Sequence, residues 1–120
     1  MLFNILTHNR DDHVKNFSFL LDDRTGKWSL APAYDLTFAD GPGGEHSTTV
    51  AGEGRDPRYR HVVELAGQYG VGEKEVGVMF DEVGAAVERW PEFAWVAGVR
   101  GVVSAQIFRR LAGVGLGGKG

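Results

Sequence analysis

The stretch Phe17-Ser18-Phe19-Leu20-Leu21-Asp22-Asp23-Arg24-Thr25-Gly26-Lys27-Trp28-Ser29-Leu30-Ala31-Pro32 holds two apolar runs separated by a polar turn. Phe17 to Leu21 is aromatic and apolar over five residues, which predicts a buried strand. Asp22 to Lys27 supplies turn residues, with Gly26 free to take positive φ. Trp28 to Ala31 alternates large apolar with small residues and predicts the returning strand. Pro32 has no N–H to give and should end the ladder. The pattern is a β-hairpin, and Ala33-Tyr34-Asp35-Leu36 falls where its second strand meets a loop.

Upstream, Leu2, Phe3, Ile5 and Leu6 fall at helical spacing and predict the last turns of a buried helix. The polar run from His8 to His13 is a loop. Downstream, residues 39–58 are rich in glycine and proline, with His46 to Val50 as a short extended segment. Three helices follow. Tyr59, Val62, Val63, Leu65 and Ala66 form the apolar face of the first, ended by Gly70. The second runs from Glu73 to Trp90 and is stopped by Pro91. The third runs from about Gly98 to Ala112. Residues 113–120 contain five glycines and are expected to be a disordered tail. Trp28, Trp90 and Trp95 are assigned to the core. The fold class is therefore α+β, one domain over residues 1–120 with a hairpin docked on a helical bundle.

Composition sets the outer bounds. A chain of 120 residues with 42% hydrophobic and 24% charged residues has a globular balance. The 18 glycines follow no period and mark loops and weakened helices. A formal charge of −3 argues against a phosphate-tracking groove, so no direct nucleic-acid partner is expected. The absence of cysteine excludes disulfide scaffolds, thiolate zinc sites and cysteine nucleophiles. No apolar run is long enough to span a membrane, and the start lacks a secretory pattern, so a cytoplasmic protein is expected. Residues 1–56 hold nine acids and five bases, whereas residues 57–120 hold seven acids and eight bases. Cation chemistry therefore belongs to the first half.

Within that half, Asp11, Asn16 and Asp35 stand out. Asp11 and Asn16 lie five apart at the entry to the hairpin, and Asp35 lies at its exit, so the fold-back can set Asn16 beside Asp35. An amide oxygen and a carboxylate suit Mg²⁺, which takes hard oxygen ligands and keeps water or phosphate for the rest. A free Asp11 nearby suits a base that takes the proton of an attacking hydroxyl. His8, Asp11, Asp12 and His13 offer the competing reading of a hydrolytic metal centre. His46 and His61 read as surface or hydrogen-bonded histidines, Asp12 as a residue without catalytic role, and Arg109-Arg110 as a charge pair at a helix C-terminus.

The string Asp11-Asp12-His13-Val14-Lys15-Asn16-Phe17-Ser18-Phe19, followed by Leu30-Ala31-Pro32-Ala33-Tyr34-Asp35-Leu36, resembles the signature of the HipA family. These are bacterial serine/threonine kinases that act as toxins of type II toxin–antitoxin systems. The resemblance implies a protein-kinase-like C-terminal lobe whose hairpin carries the metal site, with ATP and Mg²⁺ as cofactors. It implies Asp11 as the general base and Asn16 and Asp35 as Mg²⁺ ligands. His13 and Lys15 would face the nucleotide phosphates, and Tyr34 would flank the metal-binding Asp. It also implies a DNA-binding antitoxin as partner and a protein substrate in the translation machinery. Only ten residues precede Asp11, so a fragment without the nucleotide lobe is expected. An uncovered lobe-facing surface that includes Leu2 and Phe3 would favour self-association. The alternative function is a non-catalytic remnant of the lobe that serves only as a protein-binding module.

Overall fold

The hairpin forms where the alternation places it, two residues later at its start and one earlier at its return. In the computed structural model, which describes residues 1–114, β1 spans Phe19–Asp22 and β2 spans Lys27–Leu30. They pair antiparallel with Phe19 opposite Leu30 and Leu21 opposite Trp28. The turn closes through Gly26 N–H to the Asp22 carbonyl at 2.7 Å, with Gly26 at φ +67°. Asp22 Oδ1 accepts the N–H groups of Arg24 and Thr25. A Thr25 side-chain hydrogen bond, aided by these two N–H groups, holds the Asp22 carboxyl below its ordinary pKa. One further bond, Ala31 N–H to the Ser18 carbonyl, extends the pairing before Pro32 ends it.

The strands are exposed along their whole length, which corrects the expectation of a buried pair docked on the helices. Register explains why apolar composition was misleading. Phe19, Leu21, Trp28 and Leu30 share one face, and that face has no cover among the described residues. Trp28 is 67% exposed and Trp95 84% exposed, so of the three tryptophans only Trp90 packs against the core. The Cα radius of gyration, 15.8 Å, exceeds the roughly 14 Å of a compact chain of this length, as an exposed hairpin requires.

The core lies among the helices. α1 (Leu2–Leu6) buries Ile5 and Leu6 and packs on α3 (Glu73–Glu88). α2 (Tyr59–Gln68) contributes Val62, α3 contributes Val76, Phe80 and Val87, and Leu111 comes from α5 (Gly101–Gly113). Val50 enters the same cluster from the loop. Tyr59 meets the Phe80 ring edge-on at 4.9 Å. His46 to Val50 forms no strand, and Val50 makes only an isolated bridge with Glu53.

Helix ends follow their local chemistry. α2 closes in a Schellman motif, with Val71 N–H on the Ala66 carbonyl and Gly70 at φ +75°. His61 caps its start by accepting the Arg58 N–H at Nδ1, which settles His61 as a hydrogen-bonded residue. The long helix expected to Trp90 ends at Glu88, and a separate helix, α4 (Trp90–Val96), follows at once. Pro91 sits in its first turn, where no N–H is required, so it starts this helix as well as ending the one before. Trp90 Nε1 donates to the Ser104 carbonyl and ties α4 to α5. Of the expected tail, Gly113 closes α5 and residues 115–120 lie outside the described residues. No helix of the described residues is long and apolar enough to cross a membrane.

Candidate functional site

Three of the six residues singled out in sequence line a cleft of ≈320 Å³ at the base of the hairpin. Asn16, Tyr34 and Asp35 line it together with Ser18, Asn9 and residues of α1. The segment before β1 makes a single 3₁₀ turn, Val14–Asn16, in which Asn16 N–H reaches the His13 carbonyl at 3.0 Å. The side chain of Asn16 then folds back, and its Nδ2 donates to the Asp11 carbonyl at 2.8 Å. With the amide nitrogen so engaged, Oδ1 is the atom left to act as a ligand.

Tyr34 joins the two ends of the hairpin. Its hydroxyl donates to the Lys15 carbonyl at 2.8 Å, and because a phenol has one proton, Ser18 Oγ must donate to it across 2.7 Å. The loop before β1 and the segment after β2 are thus bonded through side chains beyond the last ladder pair. Tyr34 precedes Asp35 in the chain and lines the cleft beside it.

Asp35 stands at φ +54°, a left-handed backbone that Asp tolerates better than most residues. Its carbonyl is held by Asn9 Nδ2 at 3.3 Å, and Asn9 also donates to Asn4 Oδ1 at 3.2 Å. Asn9 is 1% exposed, and its backbone bridges Ala39 in parallel. The Asp35 carboxylate accepts no hydrogen bond among the described residues, so both oxygens are open. Asn9 and Asn4 escaped the sequence reading, although a polar Asn4 inside the apolar run Leu2 to Leu6 was a visible signal.

Three of the proposed side chains lie outside this lining. Asp11 is about half exposed, with Oδ1 3.9 Å from His13 Nε2, and only its carbonyl touches Asn16. His13 keeps its Nδ1 buried without a partner. Lys15 is exposed and contributes its carbonyl to Tyr34. The cleft therefore gathers Asn16, Tyr34 and Asp35, while Asp11, His13 and Lys15 belong to the adjoining loop.

The donor set offers a hard divalent cation one amide oxygen and one open carboxylate, with no Lys, Arg or His side chain in the lining. The rival centre built on His8, Asp11, Asp12 and His13 does not assemble. Among the described residues, no three His, Asp or Glu side chains converge as metal ligands. His8 is drawn to Asp40 at 3.0 Å, and Asp12 is drawn to His46 at 2.9 Å. The second pair is a structural post: both side chains are 3% exposed, and Asp12 also accepts Thr48 N–H at Oδ1 and Thr48 Oγ1 at its carbonyl. Adjacent acids thus have opposite surroundings, with Asp12 buried and bonded and Asp11 facing solvent.

Arg110 likewise departs from a simple helix-end charge. It grips Asp40 with both terminal nitrogens and places Nη2 3.2 Å from His8 Nε2, over the Phe38 ring. Burial pushes the His8 pKa down, opposed by Asp40 and reinforced by Arg10 and Arg110.

Neither the curated proteins nor the solved structures yield a match to this chain. The family described as the HipA-like C-terminal domain matches residues 1–90, which takes in the cleft, the hairpin and the chain through α3. The chain therefore belongs to the HipA-like C-terminal domain family.

Proposed function

We propose that this domain is the C-terminal, metal-binding lobe of a HipA-like serine/threonine protein kinase. One observation carries the reading: Asn16 and Asp35, from opposite ends of the hairpin, line a single cleft with an amide oxygen and a carboxylate open. These two residues would hold Mg²⁺, which when bound neutralises charge on the phosphates of ATP. Asp11 accepts the proton of the substrate hydroxyl as that oxygen bonds to the γ-phosphorus and the bond to ADP breaks. The Asn16 amide, anchored on the Asp11 carbonyl, fixes the base relative to the ligand pair. Lys15 and His13 serve the nucleotide phosphates from the loop, and Tyr34 holds that loop to the Asp35 segment. The toxin role, the antitoxin partner, the translation-linked substrate and a cytoplasmic setting go with this reading.

A binding-module reading is favoured by a different observation, the uncovered face of Phe19, Leu21, Trp28 and Leu30. Mg²⁺-dependent ATP binding by this chain, alone and with any polypeptide encoded upstream, separates the two. The kinase reading predicts binding that Asp35→Asn abolishes and Asp11→Asn retains, with phosphate transfer lost in both. Transfer that survives Asp35→Asn, or nucleotide binding indifferent to Mg²⁺, overturns it.

A further inference from the structure

A second cleft, ≈220 Å³, shares no lining residue with the first. Beside the bridge to Ala39, Asn9 lines the hairpin cleft, and its neighbours His8, at φ +54°, and Arg10 line this one. Arg55, Arg110, His46 and Asp56 complete its polar lining.

The charges there are unevenly satisfied. Arg110 is neutralised by Asp40 and Arg55 by Glu45, and neither carboxylate lines the cleft. Asp56, the acid that does line it, is taken by Arg58. Arg10 donates only to main-chain carbonyls, those of Gly44 and of Arg55. Its Nε–H is buried without an acceptor, and among the described residues the guanidinium has no carboxylate partner. A buried charged donor left in this state is costly, and an anionic oxygen relieves it. His46 also lines the cleft, with its Nδ1 held by Asp12.

We propose that this cleft binds a phosphate-class oxyanion, either free or carried on a phosphorylated side chain, through Arg10, Arg55 and Arg110. Forked guanidinium donors match a tetrahedral oxyanion and discriminate against a spherical halide. The small volume and the net charge of −3 do not suit an extended polyanion. Because Arg10 and the Asp12–His46 pair flank Asp11, an anion held here stiffens the loop from behind without entering the hairpin cleft. The inference stands apart from the kinase reading, since nothing in it depends on nucleotide or metal.

The test titrates the isotope-labelled full chain by NMR with inorganic phosphate, and in a second arm with a neutral peptide bearing one phosphoserine. Ionic strength is held constant with chloride. Saturable shifts are expected at the His46 ring and at the Arg10 Nε–H, displaced by sulfate and weakened about tenfold by Arg10→Gln, as loss of one charge-assisted hydrogen bond implies. Tighter binding of the peptide assigns the anion to a modified side chain, and tighter binding of phosphate assigns it to the free ion. Arg55→Gln, at an exposed position, gives the same weakening without burden on the fold. Shifts that chloride reproduces, that do not saturate with either probe, or that persist in both variants overturn the proposal.

Discussion

Replacing Asp12 with alanine tests the division of labour between the two neighbouring acids. The Asp12 carboxylate holds His46 Nδ1 at 2.9 Å and the Thr48 N–H at 3.2 Å, with the Asp12 and His46 side chains deeply buried. Its removal strands the buried His46 Nδ1–H and the half-buried Thr48 N–H at roughly 1–3 kcal/mol each, so the loss should be about 3 kcal/mol. A chain of this length is stable by on the order of 10 kcal/mol, which makes that loss about a third of the total. With a urea dependence near 2 kcal/mol per molar, the unfolding midpoint should fall by about 1.5 M. Asp12→Asn keeps an acceptor for Thr48 and should lose only about 1 kcal/mol. Asp11→Ala removes a solvated carboxylate and should shift stability by no more than about 0.5 kcal/mol. Equilibrium urea unfolding followed by circular dichroism measures all three. Equal midpoints for Asp12→Ala and Asp11→Ala would refute the reasoning.

Tyr34→Phe breaks the Ser18–Tyr34–Lys15 chain at an exposed position, so stability should fall by about 1 kcal/mol while Mg²⁺ affinity weakens more than the fold does; calorimetric titration beside urea unfolding reads both. Burial lowers the His8 pKa, so below the ordinary value near 6.5 the unfolded chain binds the extra proton first and stability declines as pH falls through that window; His8→Asn should flatten this limb in a pH series of unfolding midpoints. An alanine Cβ at Gly41 would lie 2.7 Å from Arg10 Cβ, whereas at Gly26 it meets nothing, and both residues have positive φ. Gly41→Ala should therefore destabilise by at least about 1 kcal/mol more than Gly26→Ala in thermal unfolding. Trp28→Lys places a charge on the uncovered hairpin face and should leave stability within about 0.5 kcal/mol while reducing self-association; sedimentation velocity showing the unmodified chain monomeric at all concentrations would contradict this.

The hairpin and its turn were legible because alternation, a glycine at the positive-φ position and a following proline all act locally. Its exposure was not, since an apolar strand face looks the same in sequence whether or not another surface covers it. Asn16 and Asp35 could be brought to one cleft from topology alone, because a hairpin returns the chain to its starting edge. The supports behind them were hidden for the opposite reason. Asn9 reaches Asp35 across 26 residues, and Asp12 meets His46 across 34, through a loop with no periodicity to read. α4 was missed because Pro91 both ends one helix and begins the next, and sequence shows only the first effect. The Arg110–Asp40 tie spans 70 residues and carries no local mark.

The reading of this lobe stands on Asn16 and Asp35 sharing one divalent ion. Titration of the labelled chain with Mn²⁺ tests this directly, because the paramagnetic ion broadens only the nuclei near it. The account predicts early, selective loss of the Asn16 side-chain amide and the Asp35 and Tyr34 signals, reversed by excess Mg²⁺ and abolished by Asp35→Asn. Broadening spread over the surface carboxylates, or unchanged when Asp35 is replaced, would contradict it.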